Sequence, residues 1–95
     1  MTRAEFEQKV KDEDLKMNAY NIELDHYYDG HPHFLGCIEK NGKWVIYETD
    51  ERNGNAYTIK EFETEENAFG YFYEYVKCQI ESENFALSIL DKKKQ

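Results

Sequence analysis

FLGCIEKNGKWVIYET, Phe34 to Thr49, sets two β-forming runs on either side of Asn41-Gly42. Asn-Gly supplies both positive-φ residues of a type I′ turn, so Lys40 should pair with Lys43 and the rest of the register follows by counting. Ile38 then lies opposite Val45, Gly36 opposite Tyr47 and Phe34 opposite Thr49, which makes one strongly apolar face. The other face carries Cys37 with Ile46, Glu39 with Trp44 and Leu35 with Glu48.

Upstream, Thr2-Arg3-Ala4-Glu5 fits a capping box, and Phe6 and Val10 stand four apart in a short amphipathic helix that fades near Asp12-Glu13-Asp14. From Tyr20 the period changes to two. Tyr20, Ile22, Leu24, His26 and Tyr28 share one face of a first strand, which Asp29-Gly30-His31-Pro32-His33 breaks. Downstream, Arg52-Asn53-Gly54-Asn55 signals a second turn, and Ala56 to Phe62 a last strand with Tyr57 and Ile59 on one side. Thr64 suits the N-cap of a helix whose first turn holds Glu65 and Glu66 and whose apolar stripe is Phe69, Phe72, Val76 and Ile80.

Phe85, Ala86, Leu87, Ile89 and Leu90 prolong that helical pattern, and Lys92, Lys93 and Lys94 suit a C-terminus. An unbroken helix from Thr64 to Asp91 would be about 42 Å long, against a radius of gyration of about 12 Å for a compact domain of this size. A break near Ser82-Glu83-Asn84 is therefore expected. The fold class is α+β over a single domain, residues 1–95: an antiparallel four-stranded meander, an N-terminal helix, and one or two C-terminal helices packed on it.

The chain has 95 residues, 40% of them apolar and 16% aromatic, enough for one modest core rich in rings. Its 20 acidic and 12 basic side chains give a formal charge of −8. A field of that sign repels nucleic acid and anionic membranes and favours a basic partner. Cys37 and Cys78 form no CxxC pair, the N-terminus lacks a signal-peptide core, and no apolar run approaches the roughly 20 residues of a membrane span. A reducing cytoplasm is the expected location.

Several clusters could carry chemistry. His26, His31 and His33, near Asp25 and Asp29, are potential metal ligands, but no second ligand pair stands at zinc-site spacing, so neither a metal nor a cofactor is expected. A metal-dependent or cysteine enzyme using the region His26 to Cys37, with a histidine as base and Cys37 as nucleophile, is the alternative from a different class. Tyr71 and Tyr75 lie four apart, off the core stripe, and suit an interface. Trp44 shares its sheet face with Leu35, Glu39 and Glu48. If no helix covers that face, Trp44 and the acids Glu48, Asp50 and Glu51 form a surface for a basic protein.

Trp44-Val45-Ile46-Tyr47-Glu48, then Glu51-Arg52, then Phe62-Glu63-Thr64-Glu65-Glu66 with Ala68, Tyr71 and Phe72, resembles the small immunity proteins of bacterial polymorphic-toxin and contact-dependent inhibition systems. The likeness runs from Gly36 to Tyr75, with a looser match over Tyr27 to Pro32; Asn53 departs from it, standing where Gly is expected after Glu51-Arg52. It implies a protein without catalysis that binds a cognate toxin domain, often a nuclease, and blocks it. Another acidic inhibitor or adaptor, such as a phage-encoded one, would share the same physics. On chemistry, Trp44, Glu48, Asp50 and Glu51 are the expected contacts, with Tyr71 and Tyr75 secondary. Charge reversal at Asp50 and Glu51 should slow association and leave the melting temperature nearly unchanged. The sequence names no oligomeric state.

Overall fold

The computed structural model describes the backbone of residues 1–93 and the side chains of residues 1–86. Helix α1 (Arg3–Asp12) starts at Thr2, whose hydroxyl accepts from the amide of Glu5 while the Glu5 carboxylate accepts from the amide of Thr2. Strands β1 (Asn21–Glu23), β2 (Phe34–Lys40), β3 (Lys43–Thr49) and β4 (Ala56–Phe62) form one sheet in the order β1-β2-β3-β4, and α2 (Glu65–Lys93) follows. Asn41 and Gly42 take φ of 54° and 80°, as a type I′ turn requires. The β2–β3 register is the one counted from that turn, from Lys40 opposite Lys43 to Leu35 opposite Glu48.

The sheet is mixed, not an antiparallel meander. β1 is three residues long, far shorter than the alternation from Tyr20 to Tyr28 suggests, and it runs parallel to β2, with Ile22 beside Leu35. Segment 24–33 does not reverse the chain as a hairpin. It leaves the sheet, crosses the face of Ile38, Val45 and Tyr47, and re-enters alongside β1. What holds it there is tertiary: the Tyr47 hydroxyl donates to the His26 carbonyl at 2.6 Å and accepts from the Tyr28 amide, and the Tyr27 ring lies 4.7 Å from the Tyr47 ring. The Gly30 amide donates to Gly54 O, and the Ala56 amide donates to Asp29.

The larger core lies on the opposite face. Leu35, Cys37 and Ile46 point there and meet Phe6 of α1 and Ala68, Phe69, Phe72 and Val76 of α2, with Trp44 at the margin. The face that the hairpin pattern marks as most apolar is thus the loop-covered one, and the face of Trp44, Ile46 and Glu48 is the one under the helices. Two aromatic-rich layers cover both sides of β2 and β3, which explains their near-continuous burial.

A bulge completes the helix side of β4. The β3–β4 register shifts between Ile46 and Tyr47, leaving Ile59 as the extra residue, so Phe62 rather than Glu61 pairs beside Trp44. Strict alternation would have put Glu61 on the core side with Tyr57 and Ile59.

Helix α2 is continuous across Ser82-Glu83-Asn84. Thr64 caps its start, accepting from the amide of Asn67. Ser and Asn cost a helix interior only a few tenths of a kcal/mol relative to Ala. Glu83 serves mid-helix, its carboxylate accepting from the amides of Asn18 and Ala19 at 2.7 and 3.1 Å. The compactness expectation fails because the helix, 29 residues and about 43 Å long, projects beyond the body; the molecule measures 52 × 32 × 18 Å with a radius of gyration of 14.3 Å. The expected roles of Leu87, Ile89, Leu90 and Lys92 to Lys94 lie outside the described side chains.

Candidate functional site: an acid held among tyrosines

The six expected contact residues do not form one patch. Trp44 is half-buried, its ring 5.5 Å from Phe69 beneath α2. It stands four residues from Glu48 along β3, roughly 13 Å at about 3.3 Å per residue. Trp44 therefore belongs to the helix–sheet core and is no neighbour of the acidic turn.

Asp50 is committed to its own turn. One carboxylate oxygen accepts from the amides of Arg52, Asn53 and Gly54 at 3.0, 2.7 and 3.0 Å. These bonds, led by that from Asn53, hold its pKa below the ordinary carboxylate value. Gly54, with φ of 72°, backs directly onto His31 and Pro32, and a Cβ there would stand 2.6 Å from the His31 nitrogen. Losing Asp50 therefore disturbs segment 24–33 as well, which corrects the expectation that its charge could be reversed without cost. Asp50→Ala should lower the melting temperature, whereas exposed Glu51→Gln should leave it nearly unchanged. Since folding depresses the Asp50 pKa, its contribution is present above the ordinary carboxylate value and is lost as pH falls through the depressed one. Equal melting temperatures for wild type and Asp50→Ala across the acid range would refute this role.

Glu48 has a different setting. Its side chain comes from the helix face of β3 and the residue is only 8% exposed. Tyr57, its cross-strand neighbour on β4, donates its hydroxyl to Glu48 Oε2. The Tyr20 hydroxyl, arriving just before β1, and Tyr75 of α2 are near enough to feel the charge of the same carboxylate. Burial, opposed by the nearby Tyr20 hydroxyl and assisted by the charge of Glu51, raises the Glu48 pKa. Burial beside the same acid pushes Tyr20 up to about 12. Tyr71 stacks on Tyr75 at 6.3 Å and tilts against Phe62, with Lys60 Nζ 5.2 Å from its ring.

A raised carboxylate pKa means that the folded state holds the proton more tightly than the unfolded chain. Stability then falls as pH rises from the ordinary carboxylate value through the raised one. Glu48→Gln keeps an acceptor for the tyrosines and removes the charge. It should melt at or above the wild-type temperature at neutral pH, with the difference shrinking as pH is lowered through that window. A variant markedly less stable at neutral pH would show that the ionised form is the favoured one.

The sequence-based reading selected Glu48, Glu51, Tyr71 and Tyr75 but missed Tyr20 and Tyr57. Tyr57 was reachable, since extending the register across the second turn sets it opposite Glu48. Tyr20 was not, because its position depends on the parallel pairing of β1. Glu51 is exposed and, with Asn18, Ala19, Tyr20, Asn21 and His33, lines an open cleft of about 410 Å³.

The region His26 to Cys37 does not converge. His26, His31 and His33 are exposed, and His26 Nδ1 lies 3.3 Å from Glu23. Cys37 is fully buried in the helix-side core, and desolvation pushes its thiol up to about 12, a state unsuited to a nucleophile. Among the described residues, no group of three or more His, Cys, Asp or Glu side chains could hold a metal ion, and no helix is long and apolar enough to cross a membrane. Comparison with protein-family models, with curated proteins and with solved structures finds no match.

Proposed function

We propose that this chain is an immunity-type inhibitor that binds a basic bacterial toxin domain, a nuclease being the apt class, and neutralises it by stoichiometric contact. The observation that carries this reading is the rim where β3, β4 and α2 meet. There Glu48 accepts from Tyr57, Tyr20 and Tyr75 lie within range of its charge, Tyr71 stacks on Tyr75, and the exposed Glu51 shares a cleft with Tyr20, a mixture of acid and rigid aromatic surface suited to a basic protein. The formal charge of −8 favours the same encounter. Acidic side chains on an inhibitor can occupy positions that nucleic-acid phosphates take on a nuclease. The resemblance over Gly36 to Tyr75 supplies the toxin class.

The cysteine-enzyme alternative gains nothing from a buried Cys37 whose proton is held tightly. The binding reading is tested by mixing the purified chain with the toxin-like product of the gene adjoining its own. A one-to-one complex that abolishes the toxin's activity, with an association rate falling at least tenfold from low to high salt, is the expected result. A toxin that stays fully active at molar excess of this chain would overturn the proposal.

A further inference from the structure

We infer that the outer face of α2 is a contact between two copies of this chain. The two helices pack antiparallel as a short coiled coil, with Phe85 of each copy seated in the hollow beside Ser82 of the other. The contact does not depend on the chain being a toxin inhibitor.

Two observations meet on this face. Phe85 is 69% exposed on a continuous helix that projects beyond the body, and it packs against neither core cluster. Beside it lies an open hollow of about 480 Å³, lined by Cys78, Glu81, Ser82 and Phe85, all exposed. These four stand at i, i+3, i+4 and i+7, the diamond of residues that receives one side chain of a facing helix in a coiled coil. They lie about 160° around α2 from the core stripe of Phe69, Phe72 and Val76, counting about 100° per residue, so a helix docked there meets no part of the core. The sequence continues the seam, since Cys78, Ser82, Phe85 and Ile89 alternate steps of four and three.

What fits the hollow is a second Phe85. With the helices antiparallel about a two-fold axis between residues 83 and 84, Phe85 of each copy stands level with Ser82 of the other, whose small side chain leaves the hollow open. Charge selects this direction. By backbone register, Lys93 of each copy stands level with Glu74 of the other, Glu81 with Ala86 and Glu83 with Asn84, so unlike charges meet and like charges do not. A parallel alignment would set Glu74, Glu81, Lys92 and Lys93 each against its own counterpart. A second copy thus supplies ring, hollow and complementary charge in one register, which a foreign helix has no reason to do. The seam spans about two heptads, so the dimer is expected to dissociate at on the order of 10–100 µM. Its linked gain in fold stability vanishes on dilution, so Phe85 governs association and not the melting of dilute chain.

Sedimentation equilibrium of the intact chain under reducing conditions, from tenfold below to tenfold above that range, should give a reversible monomer–dimer curve. Phe85→Glu, an exposed change, should weaken the dimer at least tenfold and leave the circular dichroism of dilute chain unchanged. Mild oxidation reads the direction. Ile89→Cys, in a chain that keeps the exposed Cys78, should link two copies through a disulfide between positions 78 and 89. Wild type should not crosslink, because two Cys78 residues stand about 16 Å apart along an antiparallel pair, and a disulfide bridges Cα atoms no more than about 7 Å apart. A chain that stays monomeric at the highest concentration, or a dimer equally strong in Phe85→Glu, would overturn the contact. A Cys78–Cys78 link forming in wild type as readily as the 78–89 link forms in the variant would overturn the antiparallel packing.

Discussion

Phe69→Ala should cost about 3–5 kcal/mol of folding stability, the range for removing a fully buried aromatic ring. The ring is completely inaccessible and joins all three parts of the helix-side core: its centroid lies 5.5 Å from Phe6 of α1, 5.5 Å from Trp44 of β3 and 6.5 Å from Phe72 one turn along α2. Those neighbours are themselves rings on separate elements, so the space left behind cannot close by a simple shift of one side chain. Small domains have about 5–15 kcal/mol in hand, and a domain of this length loses about 4–8 °C of melting temperature per kcal/mol. A drop of well over 10 °C is expected by differential scanning calorimetry. Phe85, on the same helix but 69% exposed, is the internal control, and Phe85→Ala should change little. Similar losses for the two variants would mean that α2 does not pack on the sheet through Phe69.

Gly36→Ala adds a single methyl group and is expected to cost about 3 kcal/mol or more. Gly36 faces Tyr47 across the β2–β3 pair, and the Tyr47 ring lies over its Cα; a Cβ there would stand 2.7 Å from Tyr47 Cζ. The ring cannot slide away freely. It is fully buried, it packs 4.7 Å from Tyr27, and its hydroxyl is fixed between the His26 carbonyl and the Tyr28 amide. Moving it leaves two backbone groups of segment 24–33 without their partner, so that the packing strain and the lost hydrogen bonds add. Chemical denaturation gives the size of the loss. Amide exchange at Tyr28, sped up beyond what global destabilisation explains, gives its location. A loss below about 1 kcal/mol, with Tyr28 still protected, would show that this side of the sheet is soft.

Glycine 36 also shows where sequence reading stops. Its pairing with Tyr47 follows from Asn41-Gly42 alone, because a type I′ turn fixes which residues are opposite. Why it must be glycine does not follow from pairing, since that depends on which way the Tyr47 ring lies. Asp50 makes the same point in the site. Its charge and its place after the strand are legible, and they suggest a surface for a partner. Only the turn's geometry reveals that its oxygen accepts three backbone amides, and so separates it from Glu51, its neighbour in sequence.

Local chemistry determined the parts of this protein that depend on near neighbours in the chain. The capping box at Thr2, the hairpin register from Lys40 to Leu35, the Thr64 cap and the Phe69, Phe72 and Val76 stripe are all fixed by residues a few positions apart. Tertiary structure alone decided that β1 runs parallel to β2, that α2 passes unbroken through Ser82, that helices cover the Trp44 face, and that Tyr20 comes close to Glu48. In each of these cases the local preferences were nearly balanced. A short strand accepts either direction, a serine either caps a helix or continues it, and both faces of the hairpin are apolar. Contacts from distant parts of the chain, Tyr47 holding segment 24–33 and Glu83 receiving the amides of Asn18 and Ala19, were enough to choose.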